Sequence, residues 1–226
     1  MSETVMTHII ARIRTDFPTK FGIPRQSGLA DVPARIVFEP EYRNADALRG
    51  IEEYSHLWLI WQFSEAVRES WSPTVRPPKL GGNRRVGVFA TRSPFRPNAI
   101  GLSSVRLHRV EYSTPEGAVL HISGADLMDG TPIFDIKPYL AYTDSHPEAS
   151  GSFALAGDAV RVECAEGVLD ALPQEKRETL LRVLAQDPRP GYQHEAGRVY
   201  GFPFGGFEVR FTVADGVLTV LSAEKA

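Results

Sequence analysis

The chain has 226 residues, of which 42% are hydrophobic and 23% charged, and its 25 basic and 28 acidic residues leave a formal net charge of −3. This length and composition predict an ordinary globular protein with one sizeable core, or with one core and a smaller second one. No stretch of about 18 apolar residues and no signal-peptide pattern is present, so we expect a cytoplasmic protein without a membrane partner. The single cysteine, Cys164, excludes an internal disulfide framework and a multi-cysteine metal site, and we expect no bound metal.

Short strand-like segments dominate the first 145 residues. Each is rich in β-branched or aromatic residues and is bounded by Pro, Gly, Asn or Asp, which is typical of strands. We expect strands over residues 9–14, 34–38, 57–63, 86–90, 100–110 and 119–123. One short helix could cover 44–53, with Asn44 as its N-cap. The connections are too short for repeated strand–helix–strand units, so we predict a mainly β fold, with an antiparallel β-barrel as the N-terminal domain.

The pattern changes after residue 147. Residues 144–158 are small, polar and marked by proline, which fits a linker. Residues 172–186 combine an early proline, early acidic residues and leucines at helical spacing, which predicts one helix. Residues 207–213 alternate in hydrophobicity, and 216–221 could pair with them as a hairpin. We therefore predict two domains, the barrel over 1–147 and a small α+β domain over 148–226.

Basic residues cluster in one part of this mildly acidic chain. No acidic residue occurs between Glu69 and Glu111. The basic residues of that window are Arg76, Lys79, Arg84, Arg85, Arg92, Arg96, Arg106 and Arg109. Such a cluster is the electrostatic pattern expected of a nucleic-acid binder. The alternative is a charged strand rim that only keeps the protein soluble.

The loop over residues 91–98 carries two prolines and two arginines. Pro94 and Pro97 restrict the backbone, so less conformational entropy is lost when the loop binds a ligand. Arg92 and Arg96 can present planar sets of donors to a carboxylate or a phosphate. The loop is therefore predicted to be a preorganised cradle for an anion or a polar ligand. The alternative is a rigid turn with solvated arginines.

Two later stretches carry further candidate residues. In 126–139, Asp129-Gly130 is a turn signal, while Asp135 and Lys137 should point the same way and could pair. A buried pair beside a pocket would be functional, whereas an exposed pair would be ordinary surface.

The stretch 187–192 ends the predicted C-terminal helix. Its prolines are sufficient helix stops, but Arg189 between two prolines repeats the arrangement of the 91–98 loop. Tyr192 and Tyr200 could stack on bases.

These stretches resemble the TrmO family of S-adenosylmethionine-dependent tRNA methyltransferases, also called TsaA-like or YaeB/VirR-type proteins. The resemblance depends on residues 54–58, 76–82, 87–103, 126–140 and 187–190, and on Tyr200-Gly201. It implies methyl transfer from S-adenosylmethionine to the exocyclic nitrogen of threonylcarbamoyladenosine at tRNA position 37. It also implies that the cofactor binds to the β-barrel and that the protein is a homodimer.

The resemblance assigns roles by position. It implies that the cofactor is bound by Pro24, Arg25, Gln26, Ser64, Glu65, Arg92, Leu102, Leu127, Met128, Asp129 and Gly130, with Ser64-Glu65 standing where many members have His-Gln. Beyond the resemblance, we expect Asp135, or a backbone carbonyl near it, to accept the proton from the reacting nitrogen, and Arg96, with Lys137 or Arg189, to hold the threonyl carboxylate. The expected tRNA contacts are Arg76, Lys79, Arg84, Arg85, Arg189, Tyr192 and Tyr200. The competing functions are a non-catalytic RNA-binding module of the same fold and a small-molecule hydrolase.

Overall fold

A computed structural model describes residues 3–77, 84–151, 159–189, 195 and 197–226. Two of the expected tRNA contacts, Lys79 and Tyr192, lie outside these residues. The elements of the described chain are β1 (Ala11–Arg14), β2 (Pro33–Phe38), β3 (His56–Gln62), β4 (Thr74–Val75), β5 (Val86–Gly87), β6 (Ile100–Thr114), β7 (Gly117–Ser123), β8 (Pro132–Pro138), α1 (Ala141–Asp144), β9 (Arg161–Cys164), α2 (Gln174–Leu184), β10 (Tyr200–Phe204), β11 (Phe207–Ala214) and β12 (Val217–Lys225). Among the described residues, no helix is both long enough and apolar enough to cross a membrane.

The N-terminal strands form a closed barrel in the order β1-β2-β7-β6-β3-β8. Every pair in this barrel is antiparallel. Burial alternates along β3, where Leu57, Leu59 and Trp61 point into the barrel and Trp58 points outward. This period-two pattern is the signal that predicted the strands, and the mainly β class with an N-terminal barrel is confirmed.

Two local predictions differ from the structure. Of the predicted strand at 86–90, only Val86–Gly87 pairs with another strand. Residues Val88–Ala90 form a 3-10 turn, because the Val88 side chain is buried and the Val88 carbonyl accepts hydrogen bonds from Thr91. The predicted helix at 44–53 is instead two 3-10 turns on either side of Gly50, whose φ of +84° breaks the helical path. Asn44 nevertheless caps the first turn by accepting a hydrogen bond from the Asp46 amide at 3.0 Å.

The C-terminal part is a four-stranded sheet in the order β10-β11-β12-β9, packed with α2. The predicted helix is confirmed with shorter bounds, and its Leu180, Val183 and Leu184 are buried. The predicted hairpin corresponds to β11 and β12, which are antiparallel neighbours. Two strands of this sheet were not predicted from the sequence, namely β9, which pairs parallel to β12, and β10.

The segment between β1 and β2 does not belong to the barrel interior. Its Phe17 and Val32 are buried in the C-terminal core instead, together with residues of α2 and of β10–β12. The rings of Phe17 and Phe204 meet edge to face, with centroids 5.5 Å apart. Lys176 of α2 donates to Asp16 at 2.5 Å. The C-terminal part therefore supports the loop that carries Arg25 and Gln26.

Candidate active site

A cleft with a volume of about 1640 Å³ opens between the loop that follows β1, the segment around β4 and the loop that follows β5. Six arginines line it, and Glu69 is the single acidic side chain among its described lining residues. The six are Arg25, Arg68, Arg76, Arg85, Arg92 and Arg96. The fold thus gathers four arginines of the basic window with two from elsewhere into one concave, positively charged surface. Such a surface attracts phosphates and carboxylates.

The 91–98 loop is held in shape by its own hydrogen bonds. Thr91 Oγ1 donates to the Val88 carbonyl at 2.8 Å and accepts from the Ser93 amide at 3.2 Å. The Arg96 guanidinium donates to the Thr91 carbonyl at 2.8 Å, which closes the loop. One N–H of Arg96 is used in this way, and a guanidinium has five donors in total. The predicted preorganised loop is therefore present in the cleft wall.

A chain of hydrogen bonds connects this loop to the C-terminal part. Arg92 donates to the Gln26 side-chain oxygen, and Gln26 Nε2 donates to the Arg25 carbonyl at 2.5 Å. The Arg25 guanidinium in turn donates to the carbonyls of Asp187 and Arg189, both at 2.8 Å. Three predicted cofactor residues thus lie together, in contact with the segment that ends α2.

Sequence reasoning did not single out Asp126, which lies directly behind these residues. Its carboxylate accepts a hydrogen bond from Ser103 Oγ at 2.5 Å, and that oxygen accepts one from Trp61 Nε1 at 2.9 Å. Burial raises the pKa of Asp126, while the Ser103 hydrogen bond and the charge of Arg92 act in the opposite direction. A buried carboxyl with a raised pKa beside a charged cleft is a frequent feature of functional sites.

The remaining predicted cofactor residues lie outside the cleft lining. Leu127 is 1% exposed and its side chain packs in the barrel core, so a cofactor contact at this position would have to come from its backbone. Asp129 accepts a hydrogen bond from the Thr15 amide at 3.0 Å, and Gly130, with a φ of +76°, completes the turn next to Met128.

Pro24, Ser64 and Glu65 are also absent from the described lining of the cleft. Pro24 is buried. Glu65 pairs with Lys20 at 3.1 Å. Ser64 belongs to the same 3-10 turn, Ser64–Ala66, whose Ala66 does line the cleft.

Asp135 and Lys137 form the predicted pair on β8, with the carboxylate and the ammonium 2.9 Å apart. Their side chains are 46% and 62% exposed, and neither lines the cleft. Ile60 of β3 pairs with Asp135 on one side and with Leu102 of β6 on the other, so these three residues form a row on the outer barrel face. Leu102 is 56% exposed. Two groups of predicted residues therefore exist, one in the cleft and one on this outer face.

Only some of the expected tRNA contacts lie at the cleft. Arg76 and Arg85 line the cleft. Arg84, which precedes Arg85 in the sequence, is exposed. Arg189 lies outside the described cleft lining, and its guanidinium binds the Asp187 carboxylate through two hydrogen bonds of 2.8 and 2.9 Å. Burial would raise the pKa of Asp187, but these hydrogen bonds and the positive charge of Arg189 outweigh it and lower the pKa.

Tyr200 is also not a stacking residue for RNA. It is 6% exposed, and its ring is stacked on Phe211 with centroids 5.4 Å apart. Three other aromatic residues that sequence reasoning missed do line the cleft, namely Trp71, Phe89 and Phe95. Their position within the basic window, between Glu69 and Glu111, was the available signal.

Comparisons with known proteins agree over nearly the whole chain. The tRNA-methyltransferase O N-terminal domain matches residues 12–145, and the TrmO C-terminal domain matches 158–226. A tRNA (adenine(37)-N6)-methyltransferase of Escherichia coli is 43% identical, over 95% of this chain and 96% of that protein. A putative S-adenosylmethionine-dependent methyltransferase of Pseudomonas aeruginosa is 42% identical, over 91% and 93% of the two chains. The crystal structure of TrmO from P. aeruginosa superposes with a TM-score of 0.80 at 34% identity, covering 100% of this chain and 99% of that one. The chain belongs to the TrmO family.

Proposed function

We propose that this chain is an S-adenosylmethionine-dependent tRNA methyltransferase that methylates the exocyclic nitrogen of adenine 37. Its substrate nucleoside in this proposal is threonylcarbamoyladenosine. The observation that carries the proposal is the arginine-lined cleft, in which Arg25, Gln26 and Arg92 are connected by hydrogen bonds. Its positive charge suits an RNA backbone, and the E. coli relative has this activity in its name.

The residues present in the cleft fit S-adenosylmethionine. Arg92 has N–H donors beyond the one bound to Gln26, and a guanidinium can hold the methionyl carboxylate. Leu29 and Ala66 add apolar lining for the adenosine part. Small-molecule pockets have volumes of about 300–1,000 Å³. The cleft, at about 1640 Å³, therefore leaves room for a nucleotide next to the cofactor. When bound, the cofactor supplies a methyl group made electrophilic by the adjacent sulfonium.

The chain's own contribution is alignment, exclusion of water and proton transfer. An in-line displacement needs correct positioning more than a strong nucleophile. In our proposal Asp135 accepts the proton that the reacting nitrogen loses, and Lys137, 2.9 Å from that carboxylate, fixes its orientation. Arg96 holds the threonyl carboxylate, and Lys137, which lies outside the cleft of its own chain, would assist from a second copy. Pro24, Met128, Asp129 and Gly130 shape the loops around the cofactor.

We also propose that the protein is a cytoplasmic homodimer. The support for a dimer is the outer barrel face, where Ile100 and Leu102 are 44% and 56% exposed. Association through this face would bring Asp135 and Lys137 against a second copy, which would explain why they lie outside the cleft of their own chain. Light scattering of the purified protein measures the mass directly, and a monomer at enzyme-assay concentrations would contradict the dimer.

The test of the activity uses isotope-labelled S-adenosylmethionine and tRNA that carries unmethylated threonylcarbamoyladenosine. After digestion, mass spectrometry should find the label on that nucleoside alone. No label, with tRNA still bound, would support the alternative of a non-catalytic RNA-binding module. Asp135→Asn should lose turnover while keeping its affinity for the cofactor, measured by calorimetry. Unchanged turnover would remove Asp135 from the mechanism, and Glu224→Gln, an exposed carboxylate on β12, is the matched control.

A further inference from the structure

Three aromatic side chains in the cleft are left open to water. Trp71 is 51% exposed, Phe89 70% and Phe95 38%. All three line the same cleft as the arginines. Large aromatic rings bury much apolar area when they pack, so three exposed rings in one cleft point to a surface for a ligand.

The backbone holds Trp71 and Phe89 next to each other. Trp71 precedes β4 and Phe89 follows β5, and these two strands are antiparallel, with Thr74 opposite Gly87. The Val88 amide donates to the Pro73 carbonyl at 2.9 Å, and the Val88 side chain is buried. The two rings therefore lie with their centroids 6.0 Å apart and their planes inclined by 36°. The Val88–Pro73 hydrogen bond and the buried Val88 side chain lie between Trp71 and Phe89 in the backbone. They hold the two rings at this separation without a ligand.

The third ring is already part of a stack. The Arg68 guanidinium carbon lies 3.7 Å above the centroid of Phe95. Arg96 lies 5.9 Å from the centroid of Phe89. Planar guanidinium groups and aromatic rings are the surfaces on which the bases of single-stranded RNA stack. The wall thus alternates flat faces with positive charges.

The charge of the cleft selects among possible occupants. Its described lining contains six arginines and one acidic residue. A second copy that bound here through a two-fold contact would bring this positive surface against itself, which is unfavourable. An apolar protein segment would leave the guanidinium groups without partners. An RNA loop supplies phosphates for the arginines and flat bases for the rings.

We propose that Trp71 and Phe89, with Arg68 stacked on Phe95, form a base-stacking wall for unpaired nucleotides that neighbour the target adenosine in the anticodon loop. This inference depends on the proposed function, because it assigns that loop as the ligand. In this arrangement the arginines bind phosphates regardless of base, and the wall keeps the loop bases unstacked from each other so that one nucleotide can enter the cleft.

Tryptophan fluorescence gives a direct test with an anticodon stem-loop RNA as the probe. The chain has three tryptophans, of which Trp61 is 6% exposed and Trp71 is 51% exposed. Stacking on Trp71 should quench the emission of the wild-type protein. Trp58, on the outer barrel face opposite Lys137, could also respond to RNA, so the amplitude of quenching is compared between the two proteins. In Trp71→Phe this amplitude should fall while binding, measured by filter retention, is kept. Quenching of the same amplitude in Trp71→Phe and in the wild type would show that the bases do not stack on Trp71 and would overturn the proposal.

Affinity and salt dependence separate stacking from phosphate contacts. Trp71→Ala and Phe89→Ala should each weaken stem-loop binding by about 5- to 150-fold, with the slope of log affinity against log salt unchanged. Arg85→Ala should instead reduce that slope by about 0.7. Tyr112→Ala, a 42% exposed aromatic outside the cleft lining, is the matched control and should bind as the wild type does. Wild-type affinity in both aromatic variants would refute the wall.

Two further measurements distinguish an RNA-binding wall from a subunit contact, and failure of the wall from failure of the proposed methyltransferase activity. Light scattering of Trp71→Ala should give the wild-type mass, and a change in mass with unchanged RNA affinity would show that the wall is a subunit contact, which overturns the proposal. If the wild type transfers no methyl group to tRNA, the proposed function fails. The same fluorescence experiment then still decides whether the wall binds RNA.

Discussion

Gly101 of β6 should not tolerate a methyl group. It lies opposite Trp61 of β3, and a Cβ at this position would come within 2.2 Å of the indole Cε2 atom and 2.4 Å of Cζ2. The indole cannot move away freely, because Trp61 is 6% exposed and its side chain donates a hydrogen bond to Ser103. The Phe63 ring also packs against it, with the two ring centroids 4.2 Å apart. Overpacking of this kind costs about 1–3 kcal/mol. Loss of the Trp61–Ser103 hydrogen bond would add about 1–3 kcal/mol.

Urea unfolding of Gly101→Ala measures this cost. Gly87→Ala is the matched control, because Gly87 has a φ of −59° and an added Cβ there would meet nothing within 4 Å beyond its chain neighbours. Its free energy of unfolding should therefore stay within about 0.5 kcal/mol of the wild type. Since Ser103 also binds Asp126, we expect Gly101→Ala to weaken cofactor binding as well. A free energy of unfolding for Gly101→Ala equal to that of Gly87→Ala would refute the reasoning.

Two further predictions concern the surroundings of the cofactor loop. Burial raises the pKa of the Asp126 carboxyl above 3.8. The folded protein therefore binds a proton on this carboxyl more tightly than the unfolded chain does. As the pH rises from about 3.8 through the raised pKa, ionisation of Asp126 lowers the free energy of unfolding. Asp126→Asn should therefore gain stability relative to the wild type over that interval, and parallel pH profiles in urea unfolding would contradict this. Arg25→Ala removes both hydrogen bonds to the segment after α2, so calorimetry should show weaker cofactor binding with thermal unfolding lowered only slightly. Cofactor affinity equal to that of the wild type would show that the loop keeps its shape without Arg25.

Patterns that depend on neighbours in sequence allowed correct prediction. The strand-like pattern of residues 57–63 predicted β3, and the absence of acidic residues after Glu69 predicted a positively charged surface. The Asp135–Lys137 pair followed from their spacing on one strand. In each case, one or two residues of separation determine the geometry, so the sequence contains the information.

Features that depend on distant contacts were missed or assigned wrongly. Tyr200 was a stacking candidate by residue type, but burial against Phe211 is set by the sheet of the C-terminal part. Trp71 becomes part of a stacking wall only because β4 and β5 pair, and that pairing is not visible in either segment alone.

The packing of Phe17 against Phe204 also sets an order of folding during synthesis, because the two residues are far apart in sequence. Chains emerge from the ribosome N-terminus first, and long-range contacts must wait for their later partner. All the barrel strands precede α1, so they leave the ribosome well before β10. Until β10 is made, the loop that bears Arg25 and Gln26 has no core to pack on. A nascent chain should therefore contain barrel strands before the loop that bears Arg25 and Gln26 has its final support.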